Sequence, residues 1–308
     1  MKKDLLKMDD LSKEEILDIL NLADQLKYEF KHDIPHEILK GKSLGMIFEK
    51  SSTRTRVSFE SGMYQLGGNA LFLSSRDLQI GRGEPIEDTA RVLSRFIQGI
   101  MIRTYSQKEV ETLAKYSSIP IINGLTDDEH PCQVLADLMT IREYKNILEG
   151  LNVAYIGDGN NMAQSLLIGT LKVGMNFSIA CPENYMPKSE YIERGIELSK
   201  IEGSNFNITH SPIEAVKNAD VLITDVWASM GQESEAKERK KAFAGYQINK
   251  ELINNAKHNA IVLHCLPAHR GEEITSEILE EHASEIFDES ENRLHAQKAV
   301  LVKLMKKN

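Results

Sequence analysis

The sequence predicts an α/β protein of two domains, each a mostly parallel sheet flanked by helices, the two joined by interdomain helices. Three observations lead there. Short apolar runs of strand length alternate with segments whose apolar residues recur at helical spacing, the pattern of a parallel sheet with helices on both faces. The alternation restarts near residue 148. At 308 residues the chain is long enough for two domains, each with its own core.

Residues 12–30 read as an amphipathic helix, with Ser12 and Glu15 in a capping-box pattern and Ile16, Ile19, Leu20, Ala23 and Leu26 as the apolar stripe. Residues 42–49 suit a buried strand. Ser51-Ser52-Thr53-Arg54-Thr55-Arg56 forms the turn after it, and Val57, Phe59, Met63 and Leu66 continue as a helix up to Gly67-Gly68. Further strands are predicted at 70–73, 99–103 and 119–123, and helices at 87–98 and 131–144, with a polar, glycine-punctuated loop over 74–84. The second half repeats the theme, with strands at 151–156, 177–181, 207–209, 221–224 and 260–264 and helices at 162–173 and 191–201. The expected domains are 1–148 and 149–290, followed by a C-terminal segment, 291–308. Its helix ends on Lys303, Lys306 and Lys307, charges suited to a helix C-terminus.

Hydrophobic content of 41% and charged content of 27% describe a soluble globular protein. A net charge of −9 argues against nucleic acid or an anionic membrane as the main partner. No signal-like apolar run opens the chain, and no stretch could span a bilayer. Three cysteines, Cys132, Cys181 and Cys265, suggest reduced thiols and a cytoplasmic protein.

The hexapeptide 51–56 is the first functional candidate. It opens a helix, where the first amide N–H groups are unpaired and the dipole is positive. Two guanidiniums and several hydroxyls make that turn a site for a phosphate-like dianion, since the arginine fork meets two oxygens at once. Alternatively, Arg56 pairs with Glu60 one turn on. The other candidates also fall at the carboxyl ends of strands, where open α/β sheets bind ligands. Arg103 ends its strand, to bind something or to bridge Glu109 or Glu111. His130-Pro131-Cys132-Gln133 opens a helix with proline in its favoured first-turn place, the histidine reaching outward or capping the turn. Asp225 ends another strand, able to hold an ammonium or to cap a helix. Trp227 suits packing better than recognition. Zinc on His264, Cys265 and His269 lacks a second cysteine cluster at ligand spacing. Gly157-Asp158-Gly159 resembles a dinucleotide fingerprint with Glu183 about 25 residues on, but Met162 holds the third glycine's place and Asn160 and Asn161 crowd the turn.

Taken together, Ser52-Thr53-Arg54-Thr55-Arg56, His130-Pro131-Cys132-Gln133, Asp225 with Ser229-Met230-Gly231, and His264-Cys265-Leu266-Pro267 resemble the ornithine branch of the aspartate/ornithine carbamoyltransferase family. The resemblance runs from the N-terminal helix through Arg293. It implies that the first domain binds carbamoyl phosphate, the second binds L-ornithine, and the C-terminal helix returns to the first. Ser52, Thr53, Arg54, Thr55 and Arg103 would hold the phosphate, and Gln79 would reach a neighbouring subunit's site within a homotrimer. His130, Arg103 and Thr55 would polarise the carbamoyl oxygen, and Gln133 would hold the carbamoyl nitrogen. Asn161, Asp225, Ser229 and Met230 would bind the α-amino and carboxylate groups of ornithine, the 229–231 loop closing after carbamoyl phosphate binds. Cys265 and Leu266 would line the reacting end, with a cis bond before Pro267, and Arg293 would complete the phosphate site. The implied reaction gives L-citrulline and phosphate without metal or cofactor. Cys265, helped by Asp225, or the phosphate itself would take the proton. A binding protein without turnover is the alternative of a different class.

Overall fold

The structure, a computed structural model, describes residues 3–306 apart from Met230. The chain divides into two compact units. One comprises the chain up to Ala136 together with the segment from Asn292 onward, and the other is Asp137–Glu291.

In the first unit, the Ser12 hydroxyl accepts from the Glu15 N–H (3.2 Å) and the Glu15 carboxylate accepts from the Ser12 N–H (3.0 Å). Helix α1 (Lys13–Lys31) starts there and buries the predicted apolar stripe. There follow β1 (Ser43–Phe48), α2 (Thr53–Gln65), β2 (Asn69–Ser74), α3 (Ile86–Phe96), β3 (Gly99–Arg103), α4 (Gln107–Tyr116), β4 (Ile121–Leu125) and α5 (Pro131–Lys145). The sheet runs β2-β1-β3-β4, parallel throughout. The strand order reverses direction between β1 and β3, so the loops leaving these strands diverge and open a crevice at their carboxyl ends. The 51–56 turn follows β1, and Arg103 ends β3. The pairing of β3 with β4 slips one residue between Ile102 and Arg103, a bulge of the kind that re-aims a side chain. Strand β4 begins at Ile121 and not at 119, because Pro120 has no N–H for the ladder. Helix α4 escapes the sequence reading because only Val110, Leu113 and Ala114 of its ten residues are buried.

The two sheet edges differ. Leu5 covers β4, its N–H donating to Ile121 O (2.9 Å) and its carbonyl accepting from Asn123 N–H (2.8 Å). On the opposite edge strand, β2, Leu71 and Phe72 are exposed. Exposed Val57 and Tyr64 lie on the preceding helix, α2.

The second unit holds β5 (Asn152–Ile156), α6 (Asn161–Lys172), β6 (Asn176–Ala180), α7 (Ser189–Glu202), β7 (Phe206–Thr209), α8 (Pro212–Val216), β8 (Val221–Thr224), α9 (Ala236–Ala242), α10 (Lys250–Ile253), β9 (Ile261–His264) and α11 (Ser276–Glu281). The sheet runs β7-β6-β5-β8-β9, again parallel throughout, with its reversal between β5 and β8. The Gly157–Asn160 turn and Asp225 stand at that reversal. Helix α6 is buried along its whole length, and Trp227 is core, stacked on Phe243 with centroids 5.8 Å apart. The last helix, α12 (Ala283–Met305), begins well before the predicted 291. Its opening turns carry a run of acids, of which Glu289 is nonetheless buried, as is Ile286 between them. The division between units falls inside α5 and inside α12, ahead of the boundary near 148 in the first case.

Gly159 is needed for close approach. A Cβ there would lie 2.2 Å from Pro187 N and 2.4 Å from Met186 C, backbone atoms with no rotamer to yield. Gly159→Ala should therefore cost about 1–3 kcal/mol by overpacking. Urea denaturation of the variant beside wild type checks this. An unchanged midpoint would contradict it.

Candidate active site

In the first unit the turn after β1 is built by capping. Ser52 has extended dihedrals (φ −161°), and its hydroxyl accepts from the Thr55 N–H at 3.2 Å, leaving Thr53 and Arg54 on the opening turn of α2. Arg293, from α12, reaches the same place. Its Nη2 donates to Thr55 Oγ1 (2.9 Å) and its Nη1 to Gln133 Oε1 (3.1 Å), tying together the starts of α2 and α5. Thr55, Gln133, Arg293, Arg103 and His130 are all buried. Burial first, and then the charges of Arg293, Arg103 and Arg54, hold the His130 imidazole well below its ordinary range. Three guanidiniums thus act on one neutral imidazole at the amino ends of two helices. Arg56 takes the alternative role. Its Nε bonds Glu60 Oε1 at 2.9 Å, and its guanidinium lies 3.7 Å from the centroid of Phe72. Gln79 lies exposed on the loop after β2. Glu109 bonds Thr104 Oγ1.

In the second unit the group is acidic. Asp225, buried at the end of β8, accepts from its neighbour's Val226 N–H (2.8 Å), from Asn160 Nδ2 (2.9 Å) and from the Cys265 thiol (3.1 Å). Asn160 also caps α6, accepting from the N–H groups of Met162 and Ala163, and Asn161 is buried beside it. Cys265 as a residue is partly exposed. Desolvation of its sulfur, then the carboxylate of Asp225, pushes the thiol well above its ordinary range, so it is a protonated donor at neutral pH. The peptide before Pro267 is cis. Burial likewise pushes the Cys132 and Cys181 thiols up to about 12, which makes neither a nucleophile. Ser229 donates its N–H to Gln232 Oε1 at 2.9 Å, and Met230 lies outside the described residues.

The two rival readings do not fit these contacts. The dinucleotide turn offers a pyrophosphate the Asp158 carboxylate, which is bonded to buried Arg239 at 2.7 Å, and at Gly159 the turn is closed by the 186–187 backbone. For zinc, both nitrogens of His264 are already engaged, one by Leu266 N–H (2.9 Å) and one by Glu273 (3.0 Å). His264 and Cys265 group with Asp225, their ligand atoms within 4.8 Å of one another, while His269 groups apart from them, with Glu272 and Glu273.

Residues 3–143 match the family model described as the carbamoyl-P binding domain of aspartate/ornithine carbamoyltransferase, and residues 149–304 match its Asp/Orn binding domain. The chain belongs to the aspartate/ornithine carbamoyltransferase family. An ornithine carbamoyltransferase of Carboxydothermus hydrogenoformans is 57% identical over 98% of this chain and 97% of its own. One from Methanosarcina mazei is 56% identical over 99% and 100%. Among solved structures, ornithine carbamoyltransferase from Pyrococcus furiosus superposes with a TM-score of 0.95 at 52% identity, covering 99% of this chain and 97% of that one. The anabolic enzyme from Campylobacter jejuni gives 0.94 at 46%, covering 98% of both.

The carbamoyltransferase family's first domain coincides with the cationic group and its second with the acidic one. The Asp/Orn match extends to 304, although residues from 292 onward pack with the first unit, Arg293 among them. Sequence reasoning passed over Asn160, whose amide braces Asp225, and Lys50, buried after β1 and paired with Asp127. The signal for Asn160 was its place just before a helix, where asparagine caps. Lys50 gave no signal beyond its position at a strand end.

The neutral state of His130 has a thermodynamic consequence. Unfolded, the imidazole takes up a proton near ~6.5, whereas folded it does so only at much lower pH. The unfolded state therefore binds more protons below that point, and stability falls on acidification. Between pH 6.5 and 5.5 the wild type should lose about 1 kcal/mol more than His130→Gln, from roughly 1.4 kcal/mol per proton per pH unit. Urea titrations at the two pH values measure the difference, and equal slopes would contradict it.

Proposed function

We propose that this chain transfers the carbamoyl group of carbamoyl phosphate to the δ-amine of L-ornithine, giving L-citrulline and phosphate in arginine biosynthesis or, in reverse, arginine catabolism. The observation that carries the choice of acceptor is Asp225, a buried carboxylate held by Asn160 and the Cys265 thiol. A carboxylate in the acceptor half favours an ammonium-bearing substrate and opposes a dicarboxylate such as aspartate. In this reading Asp225 and Asn161 engage the α-amino and carboxylate groups of ornithine with Ser229 and Met230. Ser52, Thr53, Arg54, Thr55, Arg103 and Arg293 hold the phosphate, and Gln133 holds the carbamoyl nitrogen.

The chemistry follows from the charges. Ornithine's δ-ammonium first loses a proton to solvent. The resulting amine attacks the carbamoyl carbon, and the developing oxyanion meets Arg103, Thr55 and the neutral His130, placed beforehand. The C–O bond to phosphate then breaks, and phosphate departs with the second amine proton as hydrogen phosphate. Cys265, holding its proton against Asp225, aligns the amine and is not the base; Leu266 lines the same end. No metal or cofactor enters these steps. The 229–231 loop closes over ornithine, its base fixed by Arg239, which donates to Trp227 O (3.0 Å) and Asp158.

The assembly is a homotrimer, alone or in larger groups of trimers. The open β2 edge with exposed Leu71 and Phe72 supports a second copy there, since exposed edges are otherwise an aggregation hazard. Gln79, on the loop from that edge, then reaches the neighbour's phosphate. The protein is cytoplasmic. Among the described residues no helix is long and apolar enough to cross a membrane.

Citrulline formation from carbamoyl phosphate and L-ornithine, with putrescine, N-acetylornithine and aspartate in parallel, tests the assignment. Ornithine alone should turn over, and Arg54→Ala should lower the rate at least ~10²-fold, the cost of losing one oxyanion donor. Turnover with another acceptor would overturn the role given to Asp225. The rate should climb from about pH 6 to 9 because the attacking amine titrates near ~10.4. A flat profile would remove amine deprotonation from the mechanism.

A further inference from the structure

The turn that carries Cys265 and Leu266 is held from behind by a group with no role in the chemistry so far. His264 ends β9, fully buried, with Glu273 fully buried beside it. The Leu266 N–H donates to His264 Nδ1 at 2.9 Å. A backbone N–H can only donate, so Nδ1 must be the unprotonated nitrogen, and Nε2 carries the hydrogen. That hydrogen is given to Glu273 Oε1 at 3.0 Å. The same carboxylate oxygen accepts from the His269 N–H at 2.6 Å, and Glu289 Oε2 accepts from the His264 N–H at 2.8 Å. Two buried carboxylates thus grip the turn at His264 and His269, and the imidazole braces its middle. Leu266 needs such a brace, for its φ is +55°, a left-handed conformation that a bulky residue rarely adopts unaided.

We infer that His264, fixed in its Nε2–H form by Glu273, is a positioning residue that sets the Cys265–Leu266 peptide against the reacting end of the acceptor through the Leu266 N–H bond. The inference rests on the proposed carbamoyl transfer for its kinetic readout, but not for its structural one. What must survive is an acceptor at the Nδ1 position. An asparagine side chain puts its Oδ1 close to that place and loses Glu273. A glutamine side chain puts an N–H near the Nε2 place, keeps Glu273, and offers Leu266 nothing.

The experiment compares His264→Asn, His264→Gln and Glu273→Gln in the full chain. His264→Asn should stay within about tenfold of wild type in kcat/KM for ornithine. His264→Gln should fall about 10²-fold, the cost of misplacing a reacting group by ~1 Å. Glu273→Gln keeps an oxygen for the two N–H donors, and its Oε2 accepts no hydrogen bond now, so this variant should resemble His264→Asn. Thermal melting controls for folding. The second readout needs no substrate: the rate at which iodoacetamide modifies Cys265, followed by peptide mass spectrometry, with buried Cys132 and Cys181 as internal references. It should rise about tenfold in His264→Gln, on the scale of that ~1 Å misplacement, and stay near wild type in the other two. Equal behaviour of the Asn and Gln variants in both readouts, or losses that follow melting temperature alone, would overturn the inference. Absence of citrulline from wild type would defeat the functional reading, while the order of alkylation rates would still decide the role of His264.

Discussion

Burying positive charge is the constraint on which the first unit depends. Arg103 and Arg293 are 7% and 4% exposed, and an isolated cation in a protein interior is costly. Part of that cost is met locally, by the hydroxyl of Thr55 and the carbonyl oxygen of Gln133 on Arg293. Part is met by His130 giving up its charge. The helix starts of α2 and α5 add further positive potential in place of relieving it. A fold does not gather charge of one sign in this way for stability. The arrangement suits a bound anion, and it also leaves a neutral imidazole able to donate to a carbonyl oxygen.

The second unit solves the complementary problem with the same architecture. Both sheets are parallel, both reverse their strand order once, and both place their distinctive side chains at that reversal. Where the first unit has guanidiniums, the second has Asp225 and, behind it, Glu273 and Glu289. One half is thus made for a phosphate and the other for an amine, a division of labour that suits a transfer between an anionic donor and a cationic acceptor. Desolvation first, and then the Asp225 carboxylate beside it, decide the state of Cys265: in so poorly solvated a place the thiol keeps its proton.

Much of this was legible in the sequence, for identifiable reasons. The alternation of strand and helix was plain because the strands are buried on both faces and read as unbroken apolar runs. The 51–56 turn was legible because a helix start rich in hydroxyls and arginines has few other purposes. Helix α4 was missed for its narrow apolar stripe, and the start of α12 was masked by a run of acids, one of which, Glu289, is buried for reasons only tertiary structure explains. Asn160 and His264 act through other groups, the Asp225 carboxylate in one case and the Leu266 backbone N–H in the other. Partners brought together from residues 160 and 225, or 264 and 273, leave no periodic trace in a chain. Arg293 is the extreme case, since its partner Thr55 lies 238 residues away. Only the resemblance marked it beforehand.

Arg293 is also where the account is most exposed to test. Calorimetric titration of freshly dissolved carbamoyl phosphate, without ornithine, into wild type and Arg293→Ala measures the first half-site alone. The account predicts one site per chain in wild type and an affinity lower by about tenfold to 10²-fold in the variant, from the ~1.5–3 kcal/mol of a charge-assisted hydrogen bond. Undiminished binding by a folded Arg293→Ala would show that the buried cationic group is not where the phosphate sits.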